Sequence, residues 1–302
     1  MKVGSLIIVG TGIQLVGHLT LAAKAWIEQA DKVLFAVADP ITAKWLRSLN
    51  ATAEALPYNK NLKRRKKTYS EMVERMLIGV RQGLNVCVVF YGHPGVFADP
   101  AHQAIKQARS EGFTAQMLPG ISAEDCLYAD LGLDPGRNGC QSFEATDFLI
   151  RHRRFDPTSA LILWQIAMVG NLGFYKEGEH LHGLTVLAEV LATHYSFDHE
   201  VIVYQAAVYY PVCEPTIQRI PLFRLPEADV TPISTLYVPP QPPITLDCEM
   251  MTRLGMSFAK ETTTEQVNGW ITIKKLWLTS TERLNRNSMM LKFWLMKEKP
   301  VG

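Results

Sequence analysis

Apolar positions early in the chain switch between two periods. Leu6-Ile7-Ile8-Val9 is a short continuous apolar run, the mark of a buried strand, and Gly10 and Gly12 close it. Between residues 18 and 30, Leu19, Ala22, Ala23, Trp26 and Ile27 recur at helical spacing. Residues 32–37 read as a strand, Asp39-Pro40 opens a loop, and residues 41–49 form a short helix. Thr68-Tyr69-Ser70-Glu71 fits a capping box, with Thr68 at the N-cap and Glu71 at the third helical position. Met72, Val73, Met76, Leu77 and Val80 then make an apolar stripe that ends near Gly83. Val86-Cys87-Val88-Val89-Phe90 is another buried strand, residues 101–111 a helix, and residues 113–117 a strand closed by Leu118-Pro119-Gly120. Ser122 and Asp125 repeat the N-cap arrangement for a helix that reaches Asp130 and stops at Gly132. Strand and helix alternate from residue 1 to about 118, which implies a mostly parallel sheet flanked by helices.

The pattern loosens beyond that point. Residues 160–166 form an apolar strand interrupted by Gln165, residues 185–193 are helical, and residues 201–207 and 234–238 are strands. Pro239-Pro240-Gln241-Pro242-Pro243 cannot continue a ladder and marks a boundary. The expected organisation is α/β: an N-terminal subdomain over 1–118, a second over 119–243, and an extension over 244–302. In the extension, residues 246–254 suggest one more helix, and Leu284, Leu291, Trp294 and Leu295 suit a single helical face.

Composition narrows the functional classes. Apolar residues make up 47% and charged residues 20%, the balance of a globular chain with a sizeable core. A net charge of +2 argues against nucleic acid or a membrane surface as partner. Residues 261–302 differ locally, holding three of the six tryptophans and an excess of cations. No apolar run reaches the ~18 residues of a membrane span, and the apolar run of four near the N-terminus is shorter than a signal peptide needs. Five cysteines, an odd number without a CxxC pair, suggest reduced thiols in a cytoplasmic protein.

Candidate chemistry centres on Tyr91-Gly92-His93-Pro94-Gly95-Val96-Phe97-Ala98-Asp99-Pro100, directly after a buried strand. Open α/β sheets bind ligands at such strand ends, and glycine lets backbone approach a ligand closely. An ordinary strand-to-helix turn has the same pattern. Gly10, Gly12 and Gly17 lack the spacing of a dinucleotide fingerprint. Tyr69 follows the basic run 59–67, and the capping box puts it in a first helical turn. The positive helix end and the nearby cations both favour phenolate there, lowering its pKa from the ordinary value of about 10. A surface tyrosine packed on a basic loop is the plainer alternative. Gln165 either satisfies a backbone group or faces a ligand. No His, Cys or carboxylate cluster has metal-ligand spacing.

Three of these stretches, Val9-Gly10-Thr11-Gly12, Tyr91 to Phe97 and Pro119-Gly120-Ile121-Ser122-Ala123-Glu124-Asp125, resemble the tetrapyrrole methylase superfamily. The resemblance is closer to one branch, the borosin peptide backbone α-N-methyltransferases. Its further signals are Arg65 four residues before Tyr69, Ala129-Asp130-Leu131 with Asp134-Pro135, Glu144-Ala145, and Ile233-Ser234-Thr235-Leu236-Tyr237-Val238-Pro239-Pro240. It covers residues 4 to about 255. It implies a two-subdomain α/β fold with S-adenosylmethionine in the cleft between subdomains. Tyr91, His93, Val96, Ala123, Gln165, Ala206, Ser234 and Thr235 are implied to line the cofactor site. Arg65, Tyr69 and Tyr91 are implied to form the catalytic group, with Tyr58 adding to a substrate tunnel. Between Gly92 and Pro94, His93 is expected to contact the cofactor rather than act as a base.

The implied reaction is methylation of backbone amides in a ribosomally made precursor peptide by a cytoplasmic homodimer. An amide nitrogen is a poor nucleophile because its lone pair is delocalised, so it needs a base and an oxyanion stabiliser. Fused members of this branch carry their substrate at their own C-terminus, and split members end near the equivalent of residue 260. The roughly 40 residues beyond that point lie between the two patterns. Met289-Met290-Leu291-Lys292-Phe293-Trp294-Leu295-Met296 is apolar, but Lys292 and the bulky aromatics differ from the small β-branched cores of the branch. The main expectation is a separate precursor. The alternatives are self-methylation of the tail, methylation of a tetrapyrrole or corrin ring, and a non-enzymatic protein whose tail recruits a partner.

Overall fold

The computed structural model describes residues 3–37, 39–56, 65–171, 180–242 and 245–256, and the side chains of Arg65, Lys66 and His180 lie outside that description. The buried runs at the start of the chain become a five-stranded sheet. It comprises β1 (Ser5–Gly10), β2 (Lys32–Ala36), β3 (Glu54–Ala55), β4 (Asn85–Phe90) and β5 (Thr114–Met117). The order is β3-β2-β4-β1-β5, with every pairing parallel. Its central strands are apolar on both faces because both faces are covered. Leu6, Ile8, Val86 and Val88 pack with α3 (Arg65–Arg81) and α4 (Asp99–Ser110). Ile7, Val9, Cys87 and Val89 pack with α1 (Leu21–Gln29) and α2 (Pro40–Leu49). Each fully buried Leu or Ile in such a layer stabilises the fold by about 1.5–3 kcal/mol.

A linking region, α5 (Ala123–Leu131) and α6 (Pro135–Asn138), leads to a second five-stranded sheet. It contains β6 (Cys140–Glu144), β7 (Ala160–Trp164), β8 (Glu200–Gln205), β9 (Thr216–Pro221) and β10 (Thr235–Val238), in the order β6-β7-β10-β8-β9. β6 and β7 are parallel, and the remaining pairings are antiparallel. Alternation along these strands divides two cores. Leu161, Leu163, Val201, Val203 and Leu236 pack under α7 (Ala145–Ile150) and α8 (His180–Ala192). Ile162, Trp164, Ile202, Tyr204 and Tyr237 pack under α5 together with Ile13. Contacts divide the chain into two compact units, residues 1–243 and 244–302. In the second, α9 (Cys248–Arg253) falls within the expected 246–254 helix, and the suggested face through Leu284 and Leu295 lies outside the described residues.

Several boundaries differ from the sequence expectation for identifiable reasons. α1 begins at Leu21, because the Thr20 side chain accepts from the Ala23 N–H and caps it there. Asp39 and Pro40 are the N-cap and first residue of α2 rather than a loop. Thr68 is not a cap. α3 already starts at Arg65, and Thr68 is fully buried inside it. Arg and Lys are good helix formers, so the cationic run continues into the helix. Tyr69 therefore lies in the second turn, beyond the reach of the helix-end field, which fades within the first. β7 ends at Trp164, since Gln165 takes left-handed backbone and opens a 3-10 turn, Ile166–Met168. The elements β3, α6, β6, α7 and β9 are only two to six residues long, too short for a period to stand out from sequence.

Candidate active site

The loops that matter leave one edge of each sheet. β1 and β4 are parallel neighbours, so the loops after Gly10 and Phe90 emerge side by side. In the second sheet β10 runs antiparallel between β7 and β8. Its first residue, Thr235, therefore pairs with Tyr204 near the end of β8, and Leu236 pairs with Leu163 near the end of β7. Topology alone brings Thr235, Gln165 and Ala206 to one edge. These loops enclose a cavity of about 340 Å³.

The loop after β4 is held from below by glycines. A Cβ on Gly10 would stand 2.0 Å from the Gly92 carbonyl oxygen, so that close approach requires glycine. Gly12 and Gly92 exchange backbone hydrogen bonds, Gly12 N–H to Gly92 O at 3.2 Å and Gly92 N–H to Gly12 O at 3.0 Å. The Gly10-Thr11-Gly12 turn thus grips a neighbouring loop. Farther on, the Gly95 N–H donates to His93 Nδ1 at 3.0 Å. With Nδ1 accepting, a neutral His93 ring carries its proton on Nε2, which makes it a donor and not a base.

Two residues in the cavity wall hold left-handed backbone without being glycine: Phe97 at φ 51° and Gln165 at φ 58°. Such conformations cost on the order of 1–3 kcal/mol and concentrate at ligand sites. Phe97 reaches across to Trp164, with ring centroids 6.0 Å apart, so each sheet contributes one ring to the same wall. The Trp164 indole N–H donates to Ser142 Oγ at 3.1 Å, which fixes its ring.

Tyr91 retains 39% of its surface as a whole residue. Its phenol group is more enclosed, and burial together with the nearby Cys126 pushes it up to about 12. Cys126 is itself pushed up to about 11 by burial and by Asp130 and Asp125. Behind them, Tyr204 donates to Asp130 Oδ2 at 2.7 Å. His18 Nδ1 accepts from the N–H groups of Ile13 and Gln14, at 3.3 and 3.1 Å. Burial holds the His18 pKa below its ordinary value against the pull of Asp125 and Asp130. This network braces Ile13, which lines the cavity.

Of the residues expected from sequence, Tyr69, Tyr91, His93, Val96, Ala123, Gln165, Ala206 and Thr235 all line this cavity. Ser234 does not. It is 2% exposed, its hydroxyl accepts the Thr231 N–H at 2.8 Å, and its carbonyl accepts the Ile166 N–H at 3.3 Å. It shapes the wall from behind. Arg65 stands one turn before Tyr69 in α3, its side chain outside the described residues, as is Tyr58. Met72, Phe97, Glu124, Trp164 and Ile233 also line the cavity, and sequence reasoning did not single them out. Each sits within four residues of one it did, and that adjacency was the available signal.

A profile of the family described as Tetrapyrrole (Corrin/Porphyrin) Methylases matches residues 5–209. A curated relative from Dendrothele bispora is 45% identical over 80% of this chain and 58% of its own. It is described as a methyltransferase/ribosomally synthesized cyclic peptide dendrothelin A precursor. Another, from Coprinopsis marcescibilis, is described as a methyltransferase/ribosomally synthesized type I borosin cyclic peptide precursor. It is 42% identical over 86% of this chain and 69% of its own. The chain thus spans roughly three fifths to two thirds of these relatives, at 58% and 69%. Among solved structures, uroporphyrin-III-C-methyltransferase from Thermus thermophilus shares the fold. It matches with a TM-score of 0.55 and 19% identity, over 79% of this chain and 93% of that one.

Proposed function

The chain belongs to the tetrapyrrole methylase family, in the branch of the borosin methyltransferases, and from that premise we propose that it methylates backbone amide nitrogens of a ribosomally made precursor peptide with S-adenosylmethionine. The observation that carries this reading is the shared cavity. Tyr69 of α3 and Tyr91 of the β4 loop line the same space as Gln165, Ala206 and Thr235 of the second sheet. The residues fit the cofactor. The cavity offers the His93 Nε2–H and the Thr235 hydroxyl as polar partners within largely apolar walls. No Lys or Arg stands among its described lining residues to repel a cationic donor. The relatives above 40% identity are named for peptide products, which favours a peptide over a tetrapyrrole ring as acceptor.

The bound cofactor supplies an electrophilic methyl group on a sulfonium. The protein must supply a base for the amide proton and a donor for the amide oxygen. Tyr91, kept protonated by burial, serves as the donor. Tyr69 then takes the N–H proton as phenolate, with Arg65 one turn earlier as its cation. Once its proton is on Tyr69, the amide nitrogen would have a free lone pair to accept the methyl group that the cofactor supplies. The wall residues Phe97 and Trp164 exclude water and hold the peptide in line.

We place the enzyme in the cytoplasm as a homodimer acting on a separate precursor, and do not read residues 289–296, with Lys292 and bulky aromatics, as the core. The test is mass spectrometry. The precursor portion of the dendrothelin A relative, supplied as a separate peptide, should gain one-methylene mass steps. Tyr69→Phe should lower that rate by roughly a hundredfold or more while cofactor binding persists. Normal turnover by this variant removes Tyr69 from the mechanism. Mass steps on the enzyme's own residues 257–302 would replace action in trans by self-methylation.

A further inference from the structure

Glu124 is the carboxylate in the cavity wall, and no second carboxylate stands among the described lining residues. It sits in the first turn of α5, whose start is fixed by the capping box of Ser122 and Asp125. A negative charge is favoured at that helix end. Its Oε1 accepts from the Tyr128 hydroxyl at 2.9 Å, one helical turn on. The same hydroxyl lies 3.4 Å from Cys140 Sγ. Burial holds the Tyr128 phenol far above its ordinary range, so it remains a donor. Among the described residues, no group donates to the other oxygen, Oε2. A half-buried carboxylate held through one oxygen in the wall of a mostly apolar cavity is suited to a cationic N–H donor.

Taking the cofactor reading above as given, its parts can be sorted by chemistry. A sulfonium has no N–H, the α-carboxylate repels another carboxylate, and ribose hydroxyls are neutral. The α-ammonium alone combines positive charge with donor hydrogens. We infer that Glu124 receives the α-ammonium of S-adenosylmethionine, and that Tyr128 is the positioning residue that aims its carboxylate.

Calorimetric titration with three ligands tests this: S-adenosylmethionine, S-adenosylhomocysteine and 5′-methylthioadenosine. The first two carry the ammonium, and the third lacks the whole amino-acid arm. Glu124→Gln keeps the acceptor that Tyr128 needs. It should weaken the first two ligands by roughly tenfold to a hundredfold and leave the third unchanged. Unchanged binding of methylthioadenosine also certifies that the cavity is folded. Tyr128→Phe should weaken the first two severalfold, again sparing the third. Equal losses for all three ligands in Glu124→Gln would assign Glu124 to the shared nucleoside and overturn the proposal, and so would no loss at all. If Glu124→Gln weakens the first two and Tyr128→Phe does not, the positioning role of Tyr128 falls. Wild-type protein that binds none of the three overturns the cofactor reading itself.

Discussion

Two phenols line one cavity, and their surroundings assign them different work. Burial pushes Tyr91 up to about 12, so at any ordinary pH it offers an O–H and not an oxyanion. A donor of that kind matters where negative charge builds on the amide oxygen, and losing one such donor costs roughly 10²–10³ in rate. Tyr91→Phe should therefore lower kcat by about that factor, with S-adenosylmethionine affinity within a few fold of wild type. Because a phenol near 12 stays almost wholly protonated until the pH comes within about a unit of that value, the wild-type-to-variant rate ratio should stay flat from about pH 7 to about pH 10. A ratio that falls toward alkaline pH in this range would mean that Tyr91 ionises there. The glycines and proline directly after a buried strand drew attention to the loop of Tyr91 and His93, though an ordinary turn has the same pattern, and the resemblance singled out the two residues. The sequence left Glu124 unmarked, because a carboxylate in a first helical turn reads by default as a complement to the helix end.

Asp39 shows how an element boundary ties distant parts of the chain together. As N-cap of α2 it accepts from the N–H groups of Ile41 and Thr42, at 3.1 and 2.6 Å, and from the Thr42 and Tyr209 hydroxyls. Burial raises its pKa, but these hydrogen bonds outweigh it and leave the carboxyl below its ordinary range. A depressed carboxylate stabilises the folded state above its unfolded value of about 3.9 and loses that contribution as pH falls through the folded value. Asp39→Ala should thus cost about 1 kcal/mol near pH 7, the usual loss of an N-cap. The difference from wild type should narrow as pH drops below about 4. Urea denaturation at several pH values reads this directly, and a gap that widens in acid would contradict it. The capping patterns also show what sequence leaves open at this scale. Ser122 to Asp125 and Thr68 to Glu71 have the same form, yet the first caps a helix and the second lies inside one. What precedes them decides: Gly120 cannot readily extend a helix backward, whereas Arg65, Lys66 and Lys67 do.

At the scale of the whole 1–243 unit, the first sheet follows from local pattern and the second does not. Alternating strands and helices imply parallel pairing, and β1, β2, β4 and β5 obey it. No periodicity reveals that β10 enters between β7 and β8, yet that insertion brings Thr235 beside Gln165 and Ala206. Gln165 stood out as a polar break in an apolar strand, whereas Ala206 and Thr235 were reached through family resemblance alone. The cavity joins the two sheets, and they meet again behind it, where the Leu15 N–H bonds the Val208 carbonyl at 3.1 Å and Tyr209 bonds Asp39. A ligand held by both walls is released when either sheet unfolds, so it should stabilise both together. At a hundredfold excess over Kd, binding adds about 2.7 kcal/mol. For a unit of 243 residues each kcal/mol raises Tm by about 2–4 °C. Saturating S-adenosylmethionine should therefore move the calorimetric transition of this unit up by roughly 5–11 °C as one peak. If the trace splits and the component of the second sheet stays in place, the ligand is gripped by the first sheet alone, and residues such as Gln165 and Thr235 lose their assignment to the cofactor.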